Sequence, residues 1–511
     1  MPGSQHHALQ AAASSSTIQS SEASSGFLEF DQDERFSTTS RPWKWLQDAS
    51  RVAQKLSPAN LRDVSTGASV EQDTLPVHMV ASSSISASRE TTAFLDGMRG
   101  IAAFCVVVEH FAIPFQPTMF HGFQGVEHSH FLQLPIIRLC YNGSSMVCIF
   151  FVISGFALSV KPVRMIGEKD WDSFYREMES AIFRRGIRLF IPVVVVSFTM
   201  MLAAHTGLAD VQSDVKYEGS PAIHSAFWLR QPVSIPGFWH QLKDWLRFIL
   251  SMVLIPGTWR GTGRGYEYVE LKQSQYGTQF WTIPVEYWSS ILLFAALIGT
   301  ARAHTISRWA TLIALTCLSM AIGRWDVGLF FYGSLLAQVT RLGSGISMMA
   351  KPVKLLHETL WTLLFCVGLF MASSPDEGFS HAHGYVWLSA ISNDPRLWQS
   401  VGAAQIVTGA SKATYLRHVF SHGYFLYLGR ISYALYIVHV GLLLTLGWRL
   451  VPVIWEVTGR NTQLQHRSGF VVAFLLLLPM LFWVAEVYYR LVDRPCTLYA
   501  RKLENRSKVS D

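Results

Sequence analysis

Phe94-Leu-Asp-Gly-Met-Arg-Gly-Ile-Ala-Ala-Phe-Cys-Val-Val-Val-Glu-His-Phe111 is the stretch from which the fold is read. From Met98 to Phe115 it is an apolar run approaching the roughly 20 residues that a helix needs to cross a bilayer. Arg99 stands at its opening, and Glu109 and His110 sit side by side near its far end. Asp96, just ahead of the run, is placed to act as its N-cap. Ionisable groups inside an apolar helix are expensive and mark function by default. Arg99 and His110 are eleven positions apart, about three turns and roughly 16 Å of rise, so they lie near one face. A cation then sits at the membrane surface and an imidazole at depth. The alternative is a buried histidine hydrogen-bonded to a neighbouring helix for packing. Glu109 points about 100° away from its neighbour and need not touch the imidazole.

The rest of the 511-residue chain repeats the pattern of that first run. Hydrophobic residues make up 50%, aromatics 13% and charged residues only 15%, against about 25% charged in an ordinary soluble protein. Mean hydropathy is +0.25 despite a long polar start. Further apolar runs follow at Met146–Val160, Ile182–Ala204, Phe280–Ile298, Trp309–Ile322, Val327–Val339, Leu360–Ala372, Ile431–Leu446 and Phe470–Leu491. Trp245–Pro256 is either a short span or a re-entrant or interfacial helix, and His418–Leu428 is another candidate, interrupted at Gly429-Arg430 before the run that follows it. The expected fold class is an all-α polytopic membrane protein of about ten transmembrane helices with a disordered N-terminal extension.

Charge sets the orientation. The net charge is +7, with basic residues at the ends of apolar runs rather than on one soluble face. That is the positive-inside pattern and argues against a nucleic-acid partner. Arg99, then Lys161 and Arg164, then Arg184, Arg185 and Arg188 place the N-terminus in the cytoplasm and alternate the first spans. Lys351 and Lys354 mark a later cytoplasmic turn, and Arg494, Arg501, Lys502, Arg506 and Lys508 keep the tail inside. Both ends inside require an even number of crossings. Ala209–Gln241 and Ser374–Thr414 become non-cytoplasmic loops.

Residues 1–90 form a separate zone rich in Ser, Ala and Gln, expected to be a disordered cytoplasmic extension. It holds no apolar run long enough for a secretory signal, so the first span itself directs insertion. Pro42–Leu56 is a candidate short amphipathic helix. Residues 91–501 form the membrane domain and 502–511 a short basic tail. The six cysteines contain no CxxC pair, and Cys105, Cys317 and Cys366 lie within apolar runs, so small apolar packing residues are expected. His121, His128 and His130 have no helical ligand spacing and are expected to be loop histidines, so no metal site is assigned.

Six elements in order resemble the acyltransferase 3 family. The opening run carries its Arg-x10-His pattern. Ile149-Phe-Phe-Val-Ile-Ser-Gly-Phe156 resembles the second helix, and Arg184-Arg-Gly-Ile-Arg-Leu189 the RxxR element. Phe280-Trp-Thr-Ile-Pro-Val-Glu-Tyr287 is similar to the Trp-Ser-x-x-x-Glu motif, with Thr282 keeping the hydroxyl. Gly429-Arg-Ile-Ser-Tyr-Ala-Leu-Tyr-Ile-Val-His439 resembles the Gly-x-x-Ser-Tyr-x-x-Tyr-x-x-His block, and Tyr488-Tyr-Arg-Leu-Val-Asp-Arg-Pro495 the closing motif. The resemblance spans Phe94 to Arg501 and implies a membrane O-acyltransferase of about ten helices. The long extension ahead of the motif points to a eukaryotic, fungal member.

The resemblance implies transfer of an acyl group, acetyl above all, from acyl-CoA to a hydroxyl of a small molecule or glycan, a secondary metabolite among the options. Acyl-CoA enters as a donor substrate and no tightly bound cofactor is expected. His110 becomes the catalytic base and Glu286 its support. Arg99, Arg185 and Arg188 become the contacts to the CoA phosphates, which planar guanidinium forks suit. Positive-inside anchoring alone explains the charge of Arg185 and Arg188 but not two arginines i, i+3 on one face. Glu286 could orient His110, pair with an arginine or join helices. Glu109, Tyr433 and His439 are acceptor-site candidates, His439 with packing as its alternative. A different class, a proton-coupled transporter or exporter, also builds on intramembrane Glu and His. Such a relay scatters carboxylates over several helices, whereas here arginines gather at one mouth around a single histidine, and no inverted repeat is visible.

Overall fold

The computed structural model describes residues 92–116, 118–125, 129–210, 232–254, 276–342, 351–459 and 461–507. The chain divides into Met1–Pro76 and Val77–Asp511, and every described residue belongs to the second unit. The expected extension, the Pro42–Leu56 helix and His128 lie outside the described residues.

Those residues are helical, with no strand among them and one isolated bridge between His121 and Glu377. In chain order the helices are α1 Ala93–Ala112, α2 Gly143–Glu168, α3 Trp171–His205, α4 Phe238–Leu254, α5 Thr282–Thr300, α6 Thr305–Ala321, α7 Trp325–Leu342 and α8 Lys351–Ala372. They continue with α9 Val386–Ile391, α10 Pro395–Lys412, α11 Thr414–Phe420, α12 Gly423–Leu442, α13 Trp448–Thr458, α14 Gln463–Tyr488 and α15 Arg494–Ser507. A π-helical turn, Leu443–Gly447, fuses α12 to α13, and a second, Tyr489–Asp493, fuses α14 to α15. Among the described residues six helical stretches are long and apolar enough to cross a membrane, so this is a multi-pass membrane protein.

Local chemistry sets the helix ends. Asn142 caps α2 by accepting the Ser145 amide at 3.2 Å, and Asp170 caps α3 from Ser173 at the same distance. Lys169 between them takes the left-handed conformation, with φ 58°, that turns one helix into the next. Asp96 does not cap α1. Thr92 holds the N-cap position, and Asp96 sits in the first turn, where its carboxylate meets Arg99 at 3.4 Å. An acid in the first turn still complements the helix dipole. At 35 residues, α3 is about 52 Å long, far more than the hydrocarbon needs, so part of it stands clear of the bilayer.

Close backbone crossings align the centre of the bundle. At Gly100 a methyl group would collide with the backbone of Leu428 and Gly429, and at Gly429 with that of Asp96. Only glycine lets α1 and α12 approach this near. They run parallel, so Arg99 meets Ser432 near one end and His110 meets His439 near the other. The partners α5 and α3 run antiparallel: Tyr287 packs on Phe190, and Arg302 lies over Trp171.

One expected loop is corrected and one open alternative is narrowed. Ser374–Thr414 is not a loop, because it contains α9 and the 18-residue α10. No apolar run announces α10, since it carries Gln399, Ser400, Gln405, Thr408 and Ser411. Apart from Gln405 these are buried, as are Gly402, Ala403, Gly409 and Ala410. A helix packed inside a bundle needs small residues for contact, not an apolar outer face: Gly402 has the backbone of Ala372 where a Cβ would go, and Gly368 has Ile406. The open alternative concerns α4, between a short span and a re-entrant or interfacial helix. Phe238 packs on His205 and the Trp245 indole donates to Ser197 at 3.1 Å, so α4 descends alongside α3. Tyr276 bonds Gln241 and Asp244, and Phe280 packs near Phe248, so the segment before α5 runs the same way as α4. Consecutive crossings run in opposite directions, and these two do not.

Candidate active site

The parallel pair α1 and α12 carries polar groups at both ends. At the lower end Arg99 donates to Asp96 at 3.4 Å and to Ser432 at 3.3 Å, with its side chain 27% exposed. Arg188 of α3 is exposed and makes no hydrogen bond or ion pair among the described residues. Of these two guanidinium groups, that of Arg99 is engaged by Asp96 and Ser432 and that of Arg188 is exposed. Three residues along α3, Arg185 has a different fate. It is 9% exposed, donates from Nη2 to Glu286 Oε1 at 2.7 Å and from Nε to Ser290 at 3.3 Å.

Glu286 therefore belongs to an ion pair between α3 and α5, with Ser154 of α2 donating to the same oxygen at 3.2 Å. It is not the hydrogen-bond partner of His110. That partner is His439: His110 Nδ1 and His439 Nε2 are 2.7 Å apart, with the rings nearly coplanar in orientation at 13°. His439 is fully buried, and its Nδ1 lies 3.1 Å from the Leu435 carbonyl. A carbonyl can only accept, so His439 Nδ1 carries the hydrogen and a neutral His439 presents a bare Nε2. His110 Nδ1 must then be the donor. The lone pair of His110 is left on Nε2, which faces the carboxylate of Glu109 at 4.0 Å. That is the atom free to take a proton.

Glu109 comes closer to its neighbour than helix geometry alone suggested. It is 7% exposed, and its carboxylate accepts the Gly143 amide at the N-terminus of α2. The dipole there favours an anion and draws the side chain round. Tyr433 is committed, its hydroxyl donating to the Leu189 carbonyl at 2.7 Å. Tyr436, which the sequence did not single out, packs beside His439, exchanges a hydrogen bond with Thr282 at 2.8 Å and donates to the Gln279 carbonyl at 2.9 Å.

The far side of the histidine pair is roofed by loops. Arg138, 1% exposed, donates to the carbonyls of Ser373, Met119 and Phe120. Asn142 ties down Ala372 and Ser374, and Gln399 holds both Ser374 and Asp376. His121 pairs with Glu377 at 3.1 Å and His130 with Arg467 at 3.3 Å, so these two histidines join loops to separate partners. No sequence signal pointed to Arg138 or Asn142. Buried polar residues that bind only backbone look like ordinary loop residues in print.

Comparison with known proteins follows the same lines. A family model described as an acyltransferase domain matches residues 92–490. An O-acetyltransferase of Phomopsis amygdali is 30% identical over 79% of this chain and 82% of its own. An acyltransferase of Cochliobolus lunatus is 23% identical over 80% of this chain and 94% of its own. An acyltransferase of a Phoma strain is 24% identical over 82% and 97% respectively. No solved structure matches the chain at a significant level.

Proposed function

Since the chain belongs to the acyltransferase 3 family and is a membrane acyltransferase, we propose that it moves an acyl group, acetyl first among the candidates, from acyl-CoA to a hydroxyl of a small molecule or glycan. One observation carries the proposal: a histidine whose Nδ1 is engaged by His439, which leaves its Nε2 as the lone-pair nitrogen, sits three turns along the same helix from Arg99. The roughly 16 Å between Arg99 and His110 is a gap that an extended phosphopantetheine arm spans.

In this mechanism Arg99 and Arg188 hold the CoA phosphates at the cytoplasmic mouth, where guanidinium forks suit phosphate oxygens. Arg185, held by Glu286 and Ser290, stiffens the wall of the mouth. The acceptor hydroxyl lies against His110 Nε2, on the side where Glu109 stands. His110 takes the hydroxyl proton as the oxygen attacks the thioester carbonyl. The tetrahedral intermediate collapses, the C–S bond breaks, and the proton on Nε2 passes to the departing thiolate, leaving an ester and free CoA. Throughout, His439 keeps Nδ1–H in place and so keeps the reactive lone pair on the substrate side.

In this reading the chain takes ten crossings, by α1, α2, α3, α5, α6, α7, α8, α10, fused α12–α13 and α14, with α4 entering without crossing; the parallel run of α1 and α12 and the antiparallel run of α3 and α5 support it. Both ends are then cytoplasmic, and the acceptor is reached beneath the loop roof. The decisive experiment is mass spectrometry of metabolites from cells with and without the gene. A metabolite heavier by one acyl group, present only with the gene, is expected. An unchanged set of metabolites merely redistributed across the membrane would point to transport instead.

A further inference from the structure

Arg308 is a buried cation that the chemistry above does not use. It closes the first turn of α6 and is 8% exposed. Its Nε donates to Gln338 Oε1 of α7 at 2.9 Å, and its Nη groups have no hydrogen bond or ion pair among the described residues. Gln338 is 3% exposed, and its Nε2 is a buried donor with no acceptor. A guanidinium can only donate, so the amide must turn its oxygen to Arg308, and no flip can satisfy Nε2. The helix end adds to the excess of positive charge. The first turn of α6 holds no acidic residue, and the dipole there disfavours a cation. A guanidinium withdrawn from water beside a neutral amide alone is costly, and so is an orphan amide donor. One anion set against both relieves all three penalties.

The pair lies at the end of the bundle that holds Arg99. Gly143, at the start of α2, packs on Glu109, so α2 ends on the Arg99 side. Arg341, in the last turn of α7, donates to the Val163 carbonyl near that end of α2. Ile306 and Ile313 of α6 and Val339 of α7 are exposed apolar side chains on the same two helices. In a multi-pass membrane protein such a surface meets acyl chains, so the anion that reaches a basic gap between two helices here is carried on a lipid.

We propose that Arg308 and Gln338 hold the phosphate of an anionic phospholipid between α6 and α7. Guanidinium Nη groups and an amide N–H both suit phosphate oxygens. The inference uses neither the donor nor the acceptor reading of the active site.

The test uses the purified full chain in neutral detergent, with bound lipid followed by native mass spectrometry and stability by thermal unfolding. Dioleoylphosphatidylserine should be retained as one tight copy and raise the unfolding temperature, and dioleoylphosphatidylcholine should do far less. Arg308→Gln should weaken phosphatidylserine binding at least about tenfold, because a charge-assisted contact is lost. Gln338→Glu supplies the anion from within the chain. It should weaken lipid binding by a similar factor yet unfold no earlier than wild type without lipid, which keeps the test open if Arg308→Gln fails to accumulate. A pair that only joins two helices would leave the lipid response of Gln338→Glu intact. Arg164→Gln, which removes an exposed charge at the same end, should change the affinity little. Wild-type phosphatidylserine affinity in both Arg308→Gln and Gln338→Glu, or equal responses to the two lipids, overturns the proposal. Inorganic phosphate that stabilises the chain as strongly as phosphatidylserine assigns the pair to a soluble anion and overturns the lipid.

Discussion

Replacing His439 probes the tautomer directly. His439→Ala deletes the acceptor at 2.7 Å from His110 Nδ1. A buried N–H left without a partner costs about 1–3 kcal/mol. The imidazole can avoid that penalty by moving its hydrogen to Nε2, where the Glu109 carboxylate stands 4.0 Å away. In that form the reactive nitrogen has no lone pair. With a factor of ten for every ~1.4 kcal/mol, the competent fraction and hence kcat should fall roughly 5- to 150-fold. KM for acyl-CoA should hold, because the donor contacts lie roughly 16 Å along the helix. His439→Gln is the informative companion. Its Oε1 can accept from His110 Nδ1 while its Nε2 donates to the Leu435 carbonyl, so it should recover most of the lost rate. The assay is steady-state release of CoA thiol from purified protein, with kcat and KM resolved. Wild-type kcat in a folded His439→Ala protein, or equal losses in Ala and Gln, would refute the tautomer argument.

Other consequences can be checked the same way. Arg188→Ala should raise KM for acyl-CoA with little change in thermal stability, whereas Arg185→Ala strands the partly buried Glu286 and should cost up to about 3–5 kcal/mol of stability; thermal unfolding of both variants separates the roles. Gly402→Leu should cut accumulation sharply because the Ala372 backbone occupies the space, while Gly423→Ala, with nothing nearby, should accumulate normally. If α10 crosses the membrane, single cysteines at Trp387 and Tyr415, both exposed, should label from opposite sides in a cysteine-free background. Labelling from one side removes α10 from the crossings.

How much of this was legible in the sequence depends on what each residue reports. Apolar helices advertise themselves by hydropathy whether they face lipid, as α14 does, or are largely buried, as α2 is, so α2, α3, α5 and α14 could be read from apolar runs. Helix α10 faces other helices, and its Gly and Ala positions carry no hydropathic signature. Arg99, Arg188 and His110 were found because ionisable residues at the ends or interior of apolar runs are rare. Their pairings were not. Glu286 had three readings in print and His439 two, and only the crossing of α1 with α12 brings His439 to His110.

The central claim is that His110 is the proton acceptor, and the most direct measurement is single-turnover acyl transfer by purified His110→Ala alongside its CoA affinity. General-base catalysis supplies about 10²–10⁴-fold, so the rate should fall by that factor while CoA binding is retained. Normal transfer by a folded variant would contradict the account.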